Sequence, residues 1–345
     1  MAVRLRSILL GLVALVIALV LAGITAVGWE IVLGPKFRTT TDQPFEVTEA
    51  RLARGQYLVE GVAHCFHCHS EHDLSTPEYP IVAARRGAGW LLPIPELGTL
   101  AAPNITPDPD TGLGAWTDDE IARAIREGVR KDGRALFPVM PYTDFAKMSD
   151  EDVASIVVYL RTIPAVRNTV PARQLIFPLS LLVNTMPEPL AGPVPGPATA
   201  TPVERGHYLA TLAGCIGCHT PTDDQGIPLP HMELAGGAPF DDPGREMAPV
   251  FSANITRDPS GIAHYDEAMF KETLRTGRLP GRVLNHIMPF EAFSHLTDED
   301  LSALFAYLEA QPPIKHRVSN TDPPTPCPIC KRSHGLGNLN VLPQG

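Results

Sequence analysis

Cys65-Phe66-His67-Cys68-His69 and Cys215-Ile216-Gly217-Cys218-His219 each set two thiols three residues apart, with a histidine directly after the second. That spacing lets one short turn form thioethers with both vinyl-derived positions of a porphyrin. The histidine then lies under the iron as its proximal ligand. A zinc or redox pair also uses two close thiols, but two occurrences in matching surroundings make either a poor explanation. The reading is two covalent haem c groups, attached at Cys65, Cys68, Cys215 and Cys218, with iron ligands His69 and His219.

The chemistry of such an iron turns on its other face. A methionine thioether favours the ferrous state and suits reversible one-electron transfer, whereas an open position suits peroxide or other small-ligand chemistry. The first copy offers Met140 and Met148, and the second Met232, Met247, Met269 and Met288. Of these, Met140 and Met288 recur at the same place, each followed by proline and an aromatic residue. Proline removes a backbone donor and holds the chain extended, which helps aim the sulfur. Met140 and Met288 are therefore read as the distal ligands. His286, two residues before Met288, is the main rival, but the matching position in the first copy is Pro138. His64 and His67, inside or beside the first motif, point away from the distal face. Lone histidines such as His207, His231, His264 and His295 read as surface or satisfied polar groups, and Tyr57, Tyr208 and Trp116 as haem-pocket packing.

The elements that must position these residues also come twice. Asn104-Ile105-Thr106 begins 39 residues after Cys65, and Asn254-Ile255-Thr256 begins 39 after Cys215. Phe145 and Phe293 each lie five beyond their methionine, and Ser149 and Thr297 each lie nine beyond it, both followed by Asp-Glu-Asp. This is an internal duplication. In the first copy Thr48 can cap a helix running toward the haem motif. Thr117-Asp118-Asp119-Glu120 has the capping-box pattern for a helix through Glu127, stopped by Gly128. Ser149 opens a last helix with Val153, Ile156, Val157 and Leu160 on one face.

Outside the copies the chain has four other parts. Arg4 and Arg6 precede an uncharged stretch from Ser7 to Trp29, 23 residues long, enough to cross a bilayer as one helix. Residues 1–34 are read as a transmembrane anchor or uncleaved signal, with the N-terminus cytoplasmic and the rest outside. A short proline-bounded tether, Pro35 to Pro44, follows. Residues 166–201 read as a proline-rich linker whose apolar patch, Leu175 to Leu182, is buried locally. Residues 316–345 read as a poorly ordered tail. Cys327-Pro328-Ile329-Cys330 lacks the following histidine, so no third haem is expected there. With His334 it supplies three metal ligands where zinc normally wants four, and a local disulfide is the expectation in an oxidising compartment. The net charge of −10 argues against nucleic acid as a partner, and 36 prolines with 28 glycines point to loop-rich domains with short helices.

Several runs resemble the multihaem cytochrome c subunits of membrane-associated bacterial dehydrogenases. They are Asn104-Ile105-Thr106-Pro107-Asp108, Thr111 through Thr117, Arg126 through Arg134, Met140-Pro141-Tyr142 and Ser149-Asp150-Glu151-Asp152. Those subunits serve quinoprotein alcohol dehydrogenases, flavin-dependent gluconate or sorbitol dehydrogenases and molybdenum hydroxylases. The likeness covers about residues 48–313 and is specific to the cytochrome family. It implies a mainly α fold of two tandem class I cytochrome c domains, at 45–165 and 202–315, after the N-terminal transmembrane helix.

The function expected is a dihaem electron carrier on the outer, periplasmic side of a bacterial plasma membrane. It would take single electrons from a periplasmic dehydrogenase subunit and pass them to a soluble cytochrome, an oxidase or quinone in the respiratory chain. No acid–base pair or substrate pocket is announced, so the chain reads as an electron-transfer subunit and not as an enzyme. The alternatives are a catalytic dihaem enzyme of peroxidase or thiosulfate dehydrogenase type, against which the recurring methionines count, and the cytochrome subunit of a haem–copper terminal oxidase.

Overall fold

The computed structural model describes residues 2–92, 94–196, 201–223, 226–242 and 249–341. It begins with helix α1, Ala2–Val27, and a single turn α2, Glu30–Leu33. The first half then contains α3 (Glu49–Tyr57), α4 (Cys65–His69), α5 (Asp118–Glu127), α6 (Tyr142–Phe145) and α7 (Asp150–Leu160). After a turn α8 (Leu179–Leu182), the second half repeats this order. Its helices are α9 (Pro202–Leu212), α10 (Cys215–His219), α11 (Glu267–Thr276), α12 (Phe290–Phe293) and α13 (Asp298–Glu309).

The caps follow the side chains that sequence places there. Thr48 accepts from the Arg51 amide, Thr117 and Glu120 close a capping box, and Ser149 accepts from the Asp152 amide. Each hydroxyl satisfies an amide that the first helical turn leaves unpaired. Gly128 ends α5 in the left-handed conformation at φ +69°.

In each half the first and last helices cross at a glycine. A Cβ on Gly55 would lie 2.0 Å from the Ser155 carbonyl oxygen, and one on Gly206 would lie 2.0 Å from that of Ala303. The α3–α7 and α9–α13 pairs thus approach backbone to backbone. The core runs through both halves, from Leu58, Val62, Ile121, Ile156 and Val157 to Leu209, Leu234, Phe270, Leu301 and Leu304. The halves differ in one detail. Ten residues separate Gly55 from Cys65, but nine separate Gly206 from Cys215. The first half absorbs the extra residue as one π-helical turn, Leu58–Val62, the usual form of a one-residue insertion in a helix.

Four expectations change. The fold is mixed and not mainly α: 38% is helical, with short two-stranded ladders in the proline- and glycine-rich loops. The apolar linker patch is not buried as a unit. Gln174–Leu175 pairs with Gly98–Thr99 and Val183 is buried, but Phe177 is 79% exposed and Ile176, Leu181 and Leu182 are also exposed. The tail is ordered from 316 to 341, where strand Ser319–Pro326 pairs with Ser333–Gly335 and Cys327 and Cys330 are buried; residues 342–345 lie outside the description. No disulfide joins Cys327 to Cys330.

Among the described residues no helix is long and apolar enough to cross a membrane. The side chains of 1–5, 7–9 and 26–27 lie outside the description, so the expected span from Ser7 to Trp29 falls partly outside it. From Leu10 to Leu21 the leucines, valines and isoleucine of α1 are exposed.

Candidate functional site: two haem-binding frames

Each C-x-x-C-H forms a single helical turn entered through a left-handed residue, His64 at φ 36° before α4 and Gly214 at φ 71° before α10. The turn brings both cysteines of a motif close together, as attachment to one porphyrin requires. On the proximal side, His69 Nδ1 donates to the Pro103 carbonyl at 2.8 Å, and His219 Nδ1 donates to the Ala253 carbonyl at 2.7 Å. This bond fixes the tautomer and leaves Nε2 with its lone pair for a metal. Desolvation holds both imidazoles below the usual histidine range, against a smaller opposing pull from those carbonyls. The neutral ring is the form that ligates iron.

The Asn-Ile-Thr runs, read from sequence only as landmarks, hold these acceptor carbonyls in place. Asn104 Oδ1 accepts from the Thr106 amide at 2.9 Å, while its Nδ2 donates to the Val166 carbonyl at 2.7 Å. Asn254 makes the same bonds to Thr256 at 2.9 Å and to Ile314 at 2.7 Å. The loop that accepts from each proximal histidine is thereby fastened to the chain leaving the last helix of its half.

Met140 and Met288 are partly buried against the core, each at the head of the same small structure. Pro141 and Pro289 start α6 and α12 at φ −79° and −78°, and the next residue's amide donates back to the methionine carbonyl, at 2.7 Å from Tyr142 and 2.8 Å from Phe290. The aromatic after the proline packs where a Cβ is excluded. A side chain on Gly128 would meet the Tyr142 ring at 2.7 Å, and one on Gly277 the Phe290 ring at 2.8 Å. Met148 and Met232 are core residues, and Met247 lies outside the described residues. The His286 ring sits edge-on to Phe290, with centroids 5.8 Å apart.

The two frames adjoin. Gly61, just before the first motif, lies against α12, where a Cβ would be 3.8 Å from the Ala292 carbonyl oxygen and 3.7 Å from His295 Cβ. Reciprocally, a Cβ on Gly217 in the second motif would lie 4.0 Å from the Asp144 carboxylate on α6. Cys68 and Cys218 have exposed surface, yet the surrounding protein raises both thiols, that of Cys68 to about 11 with a further push from Cys218. Tyr57 and Tyr208 are not mere pocket packing. Their phenols bridge the halves, donating to Asp300 and Asp152.

A family model for cytochrome c matches residues 52–164. The cytochrome c subunit of the quinone-linked alcohol dehydrogenase of Gluconacetobacter polyoxogenes is 28% identical over 344 residues, covering 88% of this chain and 70% of that subunit. The fructose dehydrogenase cytochrome subunit of Gluconobacter japonicus is 31% identical over 293 residues, covering 78% of this chain and 55% of its own length. A diheme cytochrome c-type protein of Cereibacter sphaeroides is 30% identical over 260 residues, covering 73% of this chain and 83% of its own. A C-x-x-C-H turn whose histidine is held by a loop carbonyl, together with relatives of this kind, places the chain in the cytochrome c family.

Proposed function

We propose that this protein is a membrane-anchored dihaem cytochrome c, relaying single electrons from a periplasmic dehydrogenase toward the respiratory chain. The two iron ligand pairs in this reading are His69 with Met140 and His219 with Met288. Haem c supplies the reversible one-electron chemistry. The chain's residues fix the ligands, bury the groups and hold the two sites side by side.

The observation that carries the reading is that one frame is built twice and the copies meet. Each half supplies a tautomer-locked histidine and a Met-Pro-aromatic turn, and the helix after each methionine packs on the other half's haem motif. Such an arrangement serves transfer between two centres. The dehydrogenase partner is supported by relatives that are cytochrome c subunits of alcohol and fructose dehydrogenases. The acceptor in this reading is a soluble cytochrome, an oxidase or quinone.

Anchoring to the inner membrane, with the haem domains at 45–165 and 202–315 on the periplasmic side, rests on α1 and its flanking Arg4 and Arg6. It is supported by the exposed Trp29 and Leu33, which follow α1 in the chain and suit a lipid interface.

A redox titration of the full-length chain, followed optically into the near infrared, tests the ligation. Two low-spin centres, each with the weak band of methionine ligation, are expected. A stable high-spin ferric centre in the resting protein would overturn the carrier reading in favour of catalysis.

A further inference from the structure

His316, Cys327, Cys330 and His334 converge in the C-terminal segment, their ligand atoms all within 4.8 Å of one another and all four residues buried. His316 and His334 are 0% exposed, Cys327 3% and Cys330 2%. We propose that these four residues form a structural zinc site, unrelated to the haems and independent of the electron-carrier reading.

The donor set is two thiols and two imidazoles, which in tetrahedral array selects zinc among common metals. Zinc bonds of about 2.3 Å to sulfur and about 2.0–2.1 Å to nitrogen put adjacent S and N ligands about 3.5 Å apart at the tetrahedral angle. His316 Nε2 and Cys327 Sγ are 3.5 Å apart. Both histidines have the tautomer that such a site needs. His316 Nδ1 donates to the Ala235 carbonyl at 3.0 Å and His334 Nδ1 to that of Gly335 at 3.0 Å, leaving each Nε2 as a potential donor to metal. Among the described residues His334 Nε2 has no hydrogen-bond partner although it is buried, a costly state unless something binds it.

The loop around the cysteines is shaped for the same purpose. In Cys327-Pro328-Ile329-Cys330-Lys331-Arg332, the Cys327 amide donates to the Arg332 carbonyl at 2.8 Å and the Lys331 amide to that of Cys327 at 3.1 Å. This closes the turn so that both thiols point to one side. Asn340 Nδ2 lies 3.5 Å from Cys327 Sγ, an outer donor to a metal-bound thiolate. Binding replaces two thiol protons with Zn2+, and the two imidazoles bind neutral, so the step releases two protons and needs no oxidant.

The duplication supplies an internal control. Val166 and Ile314 occupy matching positions as acceptors from Asn104 and Asn254, so His316 corresponds to Asn168. Asn168 Nδ2 donates to the Ala88 carbonyl at 2.8 Å, as His316 Nδ1 does to Ala235. An amide therefore suffices for that structural bond. What histidine adds in the second half is a second ring nitrogen, and that nitrogen faces Cys327. The site would rivet the C-terminal segment beneath the second proximal loop, since Gly236, next to Ala235, donates to the His219 carbonyl at 2.7 Å.

The test is elemental analysis and zinc K-edge absorption on the purified full-length chain, where haem iron does not interfere. One zinc per chain with two sulfur and two nitrogen neighbours is expected. Zinc below a tenth per chain, a shell without sulfur, or a Cys327–Cys330 disulfide in the bulk of the protein by mass spectrometry would overturn the site. His316→Asn, which restores the residue used in the first half, should keep both haem spectra and lose at least nine-tenths of the zinc. Full zinc retention in that variant would equally sink the proposal, and the measurement on the unaltered chain stands whether or not the variant folds.

Discussion

The Tyr57 phenol donates to Asp300 across the boundary between the halves at 2.5 Å, and Tyr208 returns the contact to Asp152 at 2.7 Å. Each aspartate also accepts from an arginine of its own half, Asp152 from Arg54 at 2.8 Å and Asp300 from Arg205 at 2.6 Å. Asp152 and Asp300 are the N-terminal acidic residues of the last helices, and both are buried. Duplication has thus produced a self-complementary contact inside one chain, residue for residue like that of a twofold dimer. It clamps α3 to α13 and α9 to α7.

Tyr57→Phe and Tyr208→Phe should each cost about 1.5–3 kcal/mol, the worth of a hydrogen bond to a charged group. Burial and then Asp300 push the Tyr57 phenol up to about 12. Its folded value thus exceeds the ordinary one, and the folded state holds the proton after the unfolded chain has released it. The stabilisation is complete below the unfolded value near about 10 and is lost as pH rises through about 12. Urea midpoints between pH 9 and 12 should therefore fall more steeply for the unaltered protein than for Tyr57→Phe. Equal slopes would show that another group carries the alkaline loss.

Gly55→Ala and Gly206→Ala should each open a helix crossing. The added methyl would sit 2.0 Å from a carbonyl oxygen in either half, and backbone cannot yield as a side-chain tip can. Overpacking of this kind costs about 1–3 kcal/mol or more. Thermal melts followed in the haem Soret region should show both variants lowered, by similar amounts. A neutral effect at either glycine would mean that its helix pair is not packed this closely.

The haem motifs, the duplication and the helix caps were legible in the sequence because each is written in adjacent residues with a fixed offset. Thr48, Thr117 and Ser149 cap by local geometry alone. The pairing of Tyr57 with Asp300 was not legible, because residues 243 positions apart are joined only by the packing of two halves. The π turn left a trace, the one-residue difference between Gly55–Cys65 and Gly206–Cys215, but an offset does not say how it is absorbed. His316 was missed for a similar reason. It stands eleven residues before Cys327, outside any compact ligand spacing, and only the return of strand Ser319–Pro326 brings it to the cysteines. The exposed linker patch was misjudged because local burial needs an opposing apolar surface, which the chain does not supply at Phe177.

Arg38→Ala should loosen the tether that follows α2. The Arg38 guanidinium holds both oxygens of Asp119, at 2.6 and 2.8 Å, and Glu127 at 2.7 Å. Removing it strands a buried Glu127 carboxylate, at a cost toward the lower end of about 3–5 kcal/mol because the arginine is partly exposed. Burial pushes the Asp119 carboxyl up, but the bonds from Arg38 outweigh it and hold the group below the usual carboxylate range. Its stabilisation is present above the unfolded value and is lost as pH falls through the folded one. The variant's deficit in urea midpoint should thus be full at neutral pH and shrink below about pH 4. A deficit unchanged down to pH 3 would exclude this ion pair as its source.

Met140→Ala and Met288→Ala separate a ligand from a core residue, and Met148→Ala is the control. Met148 is fully buried in the core, so its truncation should cost about 2–5 kcal/mol of stability while leaving both near-infrared bands in place. Met140 and Met288 are only partly buried, so truncation there removes less packing. If their sulfurs are the distal ligands, each substitution should abolish one band and lower one midpoint by on the order of 0.1–0.3 V, within the roughly 0.8 V that axial ligands span. The sign follows from the thioether's preference for ferrous iron, which its loss withdraws. Because the two frames are equivalent, the variants should affect different centres, and the double variant should lose both bands with additive shifts. A single methionine band in the unaltered protein that survives in Met288→Ala would hand that position to the rival His286, and His286→Ala would then turn the second centre high-spin.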